Sequence, residues 1–278
     1  MYVGIDIGGT KILAASSPTG HSMKRSQKIA TPENPRATVD AIVDLVHQVS
    51  GGRAIASLGV SCPGPIDADR GVVVEAGNLG WKNVPLKRLL EKRLHVNVTL
   101  ENDAACGGIA EARLGAGINF QHVLYITIST GIGTSLLVDG QLYRGSRNLE
   151  GGHITVQKDG PKCSCGKLGH FEAIASGKAI KRDFGKYAYE IKDKPTWDKI
   201  AANMAVGIAS LSATLAPDVV ILAGGVSVHW VRFHKSLERH IGDYLPYQAP
   251  TLRLAKYIET APVIGALLLA SQAEQLLL

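Results

Sequence analysis

Apolar positions along this chain fall into two rhythms. Short apolar runs at residues 2–7, 12–16, 55–62, 72–76, 96–101, 123–129, 136–138, 219–222 and around 252–254 read as β-strands, and a further strand ends near Ala30. Between them the period lengthens. Val39, Ile42, Val43, Val46 and Val49 form one stripe behind Asn34 and Pro35 and before Gly51, the cap, first-turn and stop residues of a helix. Further helices are expected from Pro85 to about residue 94, over 104–112, over 201–215 before Pro217, at about 230–244, and over 263–276, the last apolar on most sides and so buried. The opening order of three strands, helix and strand predicts an α/β fold of mixed sheets carrying helices.

The pattern also repeats. Residues 2–16 run strand, glycine turn, strand through Gly8 and Gly9; residues 123–138 do the same through Thr130, Gly131, Ile132, Gly133 and Thr134. A repeated opening is more specific than either turn alone, and it predicts two lobes: 1–115, joined by the closing helix 263–278, and 116–262. With 278 residues, 45% of them hydrophobic, the chain can bury the cores this requires.

Composition narrows the setting. The first residues lack the basic start and long apolar run of a signal peptide, and the apolar run at 263–270 is too short to span a bilayer, so a cytoplasmic protein without membrane association is expected. The net charge of +6 suits either a nucleic acid or an anionic small substrate. Acidic residues interspersed throughout, with no arginine-rich tail, argue against nucleic acid. The lysines between residues 178 and 199 read as a solvated helix face, with phosphate attraction second. Of four cysteines, Cys62 and Cys106 lie among apolar or small residues and read as core thiols.

The candidate chemistry lies at the turns. Asp6, Gly8, Gly9, Thr10 and Lys11 combine bare backbone N–H groups with a donor and a cation, which suits a phosphate, although the same residues suit an ordinary β-turn. Asn78, in the turn 77–81, could orient sugar hydroxyls or serve only the turn. Glu101, Asn102 and Asp103 end a strand where a helix begins, the usual ligand position of an α/β sheet; Asn102 or Asp103 as a simple helix cap is the alternative. His153, Cys163, Cys165 and His170 have the side chains and spacing of a tetrahedral zinc site, bracketed by Glu150 and Glu172. Gly224 and Gly225 follow a buried strand and would let an adenosine lie against the backbone.

Taken together in this order, the stretches 6–11, 101–103, 130–133, 150–153, 163–172 and 223–225 resemble the ROK family of sugar kinases and sugar-responsive repressors over nearly the whole chain. The resemblance implies a two-lobed, actin-like or hexokinase-type ATPase fold with a sugar in the cleft. It implies Asp103 as catalytic base and Asn78, Asn102, Glu150, His153 and Glu172 as sugar ligands. Asp6 would lie near a magnesium ion, Gly8, Gly9, Thr10, Thr130 and Gly131 would cradle phosphates, and Gly224 and Gly225 would face the nucleoside. Family repressors carry a helix-turn-helix ahead of the first phosphate strand, and only three residues precede Gly4 here, which favours a kinase. Two positions depart from the family pattern: His170 stands where cysteine is usual, and Ser135 where Gly or Ala is. A Cys2His2 set is a competent structural zinc site and formally neutral. The expected activity is ATP-dependent phosphorylation of a hexose, first glucose at its 6-hydroxyl, with N-acetylmannosamine, N-acetylglucosamine, fructose and allose as alternatives, by a protein that forms dimers or tetramers. A sugar-sensing protein without turnover is the competing expectation.

Overall fold

The first apolar run folds as β1 (Tyr2–Ile7), turns through Gly8, Gly9 and Thr10, and returns as β2 (Lys11–Ser17) in the register Ile7↔Ile12. The structure, a computed structural model, describes residues 1–275. β3 (Arg25–Ala30), almost wholly exposed, forms the edge beside β2. Asn34 Oδ1 accepts from the Ala37 N–H (2.9 Å) to open α1 (Pro35–Ser50), and Gly51, at φ 60°, closes it in the left-handed region. β4 (Ser57–Cys62) is buried at every position, as suits a strand lying parallel between β1 and another parallel neighbour.

Next comes a small sheet that the apolar pattern shows only in part. β5 (Ile66–Asp67), β6 (Val72–Ala76) and β7 (Trp81–Val84) pair antiparallel, so Trp81 begins a strand and does not end a turn. β5 has two residues and β7 exposes its central pair, too little periodicity to detect. α2 (Leu86–Leu94) leads to β8 (Asn97–Asn102) and α3 (Asp103–Leu114).

The second half opens with β9 (His122–Ile128) and β10 (Ile132–Val138), followed by the two-residue β11 (Gln141–Leu142). Because β10 starts at Ile132, the glycine turn occupies residues 129–131. Gly133 lies in the ladder opposite Thr127, where strand pairing overrides the turn signal of its side-chain-free backbone. Helices α4 (Phe171–Ala175) and α5 (Gly177–Phe184) precede α6 (Lys194–Leu215), which starts seven residues before the apolar stretch at 201 because Asp193 accepts the Thr196 N–H at 2.9 Å. β12 (Val219–Ala223), α7 (Trp230–Tyr244), β13 (Thr251–Leu254) and α8 (Ala261–Gln275) complete the chain. Leu276, expected within the last helix, lies outside the described residues.

Two compact units result: Met1–Ala110 with Arg144–Asn148 and the segment from Thr260 onward, and Glu111–Tyr143 with Leu149–Glu259. Each holds one five-stranded sheet, ordered β3-β2-β1-β4-β8 in the first unit and β11-β10-β9-β12-β13 in the second. In both, an antiparallel three-strand meander is followed by two parallel strands. α8 lies directly on the first sheet: a Cβ added to Gly59 would meet Ala266 O at 1.9 Å, so glycine is what permits that approach. Among the described residues no helix is long and apolar enough to cross a membrane.

Candidate active site

In the first unit the candidate residues gather at the carboxyl ends of β1, β4 and β8. Ser61, in β4, donates its hydroxyl to Asp6 Oδ1 at 2.8 Å. Burial pushes the Asp6 carboxyl up to about 7; the Asp103 charge adds to the rise, while Ser61 and Lys11 pull against it. Burial also raises Asp103, against hydrogen bonds from Ala104 and Asn102 that favour its charged form. The thiols of Cys62 and Cys106 are pushed up by burial and by neighbouring carboxylates, which fits inert core positions.

The two residues at the strand end divide the work. Asn102 Oδ1 accepts from the Ala104 and Ala105 N–H groups (3.0 and 3.2 Å) and its amide donates to Gly64 O (3.2 Å), so Asn102 caps α3 and ties it to the loop after β4. Asp103 Oδ1 accepts the Ala104 N–H at 2.9 Å. The Gly8 N–H bonds Lys11 O (2.9 Å), Thr31 Oγ1 donates to Gly8 O (2.6 Å), and the Thr31 N–H bonds Thr10 O (3.1 Å), so this turn is held by its own backbone and by Thr31. A Cβ on Gly9 would lie 3.2 Å from Asn78 Nδ2, which puts the Asn78 amide against the glycine turn.

In the second unit one short hydroxyl joins the two glycine turns. Ser129 Oγ accepts the Gly225 N–H (3.1 Å), Ser129 O accepts the Gly177 N–H (2.7 Å), and the Val226 N–H bonds Ile128 O (3.0 Å). Thr130 and Gly131 are thereby brought beside Gly224 and Gly225. Gly224, at φ 86°, has Ile128 O 2.5 Å from where a Cβ would be. Thr134 anchors the next piece: its Oγ1 accepts the Gly151 N–H (2.8 Å) and donates to Leu149 O (2.9 Å), fixing the 3-10 turn that carries Glu150 and His153. The roles of Ser61, Ser129 and Thr134 escaped the sequence reading because a small hydroxyl in or beside an apolar strand gives no pattern of its own.

The four metal candidates converge. One ligand atom from each of His153, Cys163, Cys165 and His170 lies within 4.8 Å of all the others. Cys163 Sγ is 3.7 Å from His153 Nδ1, and Cys165 Sγ is 3.3 Å from His170 Nδ1. Zinc bonds of about 2.0–2.3 Å require ligand atoms about 3.5 Å apart, so the set fits a zinc ion. Glu172 is the link outward. Its Oε1 accepts the Ser164 hydroxyl (2.6 Å) and its Oε2 accepts the Ile132 N–H at the edge of the glycine turn (3.1 Å). Burial opposes its charge, but the bonds from Ser164 and Ile132, the nearby His153 and the Cys163 contact outweigh this and leave the carboxyl below its usual range. The Nε2 of His153 is 3.9 Å from Glu150 Oε2, while its Nδ1 is the nitrogen beside Cys163 Sγ.

Two sheets of the same order, each opening on a strand, glycine turn and strand, define the actin-like ATPase fold of the hexokinase type. Residues 2–273 match the sequence profile of the ROK family, and the chain belongs to that family. The glucokinase of Streptomyces coelicolor is 36% identical over 184 residues, which are 66% of this chain and 58% of that protein, so the match spans under two thirds of its length. The glucokinase of Thermotoga maritima is 30% identical over 301 residues, 95% of each chain. Among solved structures, a ROK family glucokinase from Streptomyces griseus in complex with glucose and AMPPNP is 30% identical, covers 98% of this chain and 99% of its own, and superposes with a TM-score of 0.84.

Proposed function

We propose that this protein is an ATP-dependent hexose kinase that transfers the γ-phosphoryl group of ATP to a sugar hydroxyl, with glucose and its 6-hydroxyl as the first substrate. One observation carries the reading: Asp103 sits at the start of α3 with its carboxyl raised by burial, in the electrostatic reach of Asp6 and in the unit that holds the Gly8–Gly9 turn. A carboxylate tuned upward is the form a general base takes when it must hold a proton near neutral pH. Glucose-named relatives at 30–36% identity support the substrate class.

In this mechanism Asp103 orients the sugar hydroxyl and accepts its proton as the oxygen bonds to the γ-phosphorus and ADP departs. Asn78 holds another hydroxyl beside the glycine turn. The Thr10, Thr130 and Gly131 backbones bind phosphate oxygens, and the Gly224–Gly225 turn offers a side-chain-free surface to the nucleoside. Glu150 and the Nε2 of His153 accept from and donate to sugar hydroxyls. Mg²⁺ bound with ATP would neutralise phosphate charge, and Asp6, a partly buried carboxyl within the fields of Lys11 and Asp103, is the group suited to lie near it. Zinc in the Cys2His2 set would fix the His153 tautomer so that Nε2 carries the proton.

The test is ADP release measured over a panel of hexoses and N-acetylhexosamines with wild-type protein and Asp103→Asn. Turnover with one or more sugars, lost in the variant, supports the reading. Sugar binding without ADP release would make the protein a sugar sensor instead.

A further inference from the structure

Glu101 is the residue beside the proposed base that neither the strand pattern nor the proposed chemistry uses. It lies in β8 with none of its surface exposed. A buried carboxylate must be met by donors, and the two side-chain donors here come from far along the chain. Arg144 Nη1 reaches Glu101 Oε2 at 2.6 Å, Asn148 Nδ2 reaches Oε1 at 3.1 Å, and the Asn102 N–H bonds Oε1 at 2.8 Å. Arg144 itself keeps 47% of its side chain exposed, so the pair is a buried acid gripped by a surface guanidinium.

The consequence is topological. Residues 144–148 pack with the first unit although the chain on both sides belongs to the second, and Glu101 is what they bond. One end of the clamp is one residue from Asn102 and two from Asp103. The other runs straight into Leu149, whose carbonyl bonds Thr134, and then into Glu150 and His153. No ordinary turn requires this: segment 144–148 has neither helix nor strand assigned to it, and its hold on β8 rests on these side chains.

We infer that Glu101, Arg144 and Asn148 form a positioning clamp that fixes the lead-in to the sugar-recognition turn on the strand carrying the base. They act through Asp103, Glu150 and His153 and touch no reacting atom. This rests on the kinase reading for its catalytic consequence but not for the clamp itself. A structural salt bridge alone would change stability and leave the Michaelis constants alone. A positioning clamp separates the two substrates, because the hexose ligands hang on it and the Gly224–Gly225 turn does not.

The experiment compares wild type, Arg144→Ala, Arg144→Lys and Asn148→Ala by hexose and ATP kinetics and by backbone hydrogen exchange. In Arg144→Ala, kcat/KM for the hexose should fall about 10- to 100-fold through a raised hexose KM, with the ATP KM changed less than about twofold. Arg144→Lys, which keeps one donor for Oε2, should recover part of the loss. Exchange at residues 144–153 should quicken in Arg144→Ala while β1 and β9 stay protected. Unchanged exchange at 144–153, equal rises in both KM values, or loss of protection throughout would overturn the clamp. Wild-type protein that releases no ADP with any sugar would overturn the kinase reading instead, and the exchange comparison would still decide the clamp.

Discussion

Asp6 and Asp103 are a pair of acids that the folded chain tolerates at a cost. Asp6, raised by burial and by the Asp103 charge to about 7, stays protonated in the folded state over the window in which it is ionised when unfolded. Its contribution to stability is therefore complete below about pH 4 and is lost as the pH climbs to about 7. Asp6→Asn removes the titration, so the variant should gain on wild type as pH rises, by about 2–4 kcal/mol at pH 8 relative to pH 4 in buffer free of divalent cations. Urea unfolding at the two pH values measures this, and equal differences at both would refute it. Asp103→Asn should show the same sign of stability change while lowering kcat by about 10²–10⁴-fold, the stability–activity trade expected of a strained site. A strand end before a helix made Asp103 legible. The role of Asn102 was legible only as two alternatives, and the cap geometry is present whatever else its amide does.

At the scale of elements, the His153, Cys163, Cys165 and His170 cluster and the second glycine turn are one assembly, with Glu172 as the joint. The ligand spacing at 163, 165 and 170 was visible in the sequence, and so was the pair of glutamates that bracket it. What could not be seen is that Glu172 spends both oxygens on protein donors, Ser164 beside the cluster and Ile132 at the turn, since neither donor has a side-chain type that announces a partner. A Cβ on Gly131 would sit 2.4 Å from Glu172 Oε2, so any side chain there would push the carboxylate off its present position. Ser164→Ala keeps all four metal candidates and removes one of the two holds. The expected result is a hexose KM raised about 3- to 10-fold with unchanged zinc content, read by metal analysis beside kinetics. Stripping the metal with a chelator should raise the hexose KM further and act on the ATP KM later, because His153 and Glu150 lose their support before the Ile132 bond does. A stripped protein that lost ATP affinity first would show that the cluster serves the turn and not the sugar edge.

For the whole molecule, the duplicated strand order is what the repeated glycine turn foretold, extended from a hairpin to a full sheet. Its edge strands were legible one by one, since strands ending near Ala30 and around 252–254 are β3 and β13, but β11 has two residues and gives no apolar pattern, so the matching order of the two sheets did not show. The chain passes from the first unit to the second after Ala110 and returns after Glu259. Apart from the excursion at 144–148, the segments that follow the first passage and precede the last are bound to one carboxylate. Glu111, fully buried, accepts the Ala116 and Lys256 N–H groups at Oε2 (2.8 and 3.0 Å) and the Tyr257 N–H at Oε1 (2.6 Å). Lys256 Nζ and the Tyr257 hydroxyl then bond Leu114 O at 3.0 and 3.2 Å, closing the end of α3 on the same turn. Three partly buried backbone donors set the scale of the loss. An orphaned donor costs about 1–3 kcal/mol when buried and less where water reaches it, so Glu111→Ala should lose about 2–5 kcal/mol. Glu111→Gln keeps one acceptor oxygen and turns an amide N–H₂ toward the remaining donor, so it should lose about 1–3 kcal/mol. Denaturant unfolding of the two variants separates the readings: losses in the order Ala beyond Gln support the carboxylate as the tie. Losses below about 1 kcal/mol in both would mean that water replaces it and that the passages are held by packing alone.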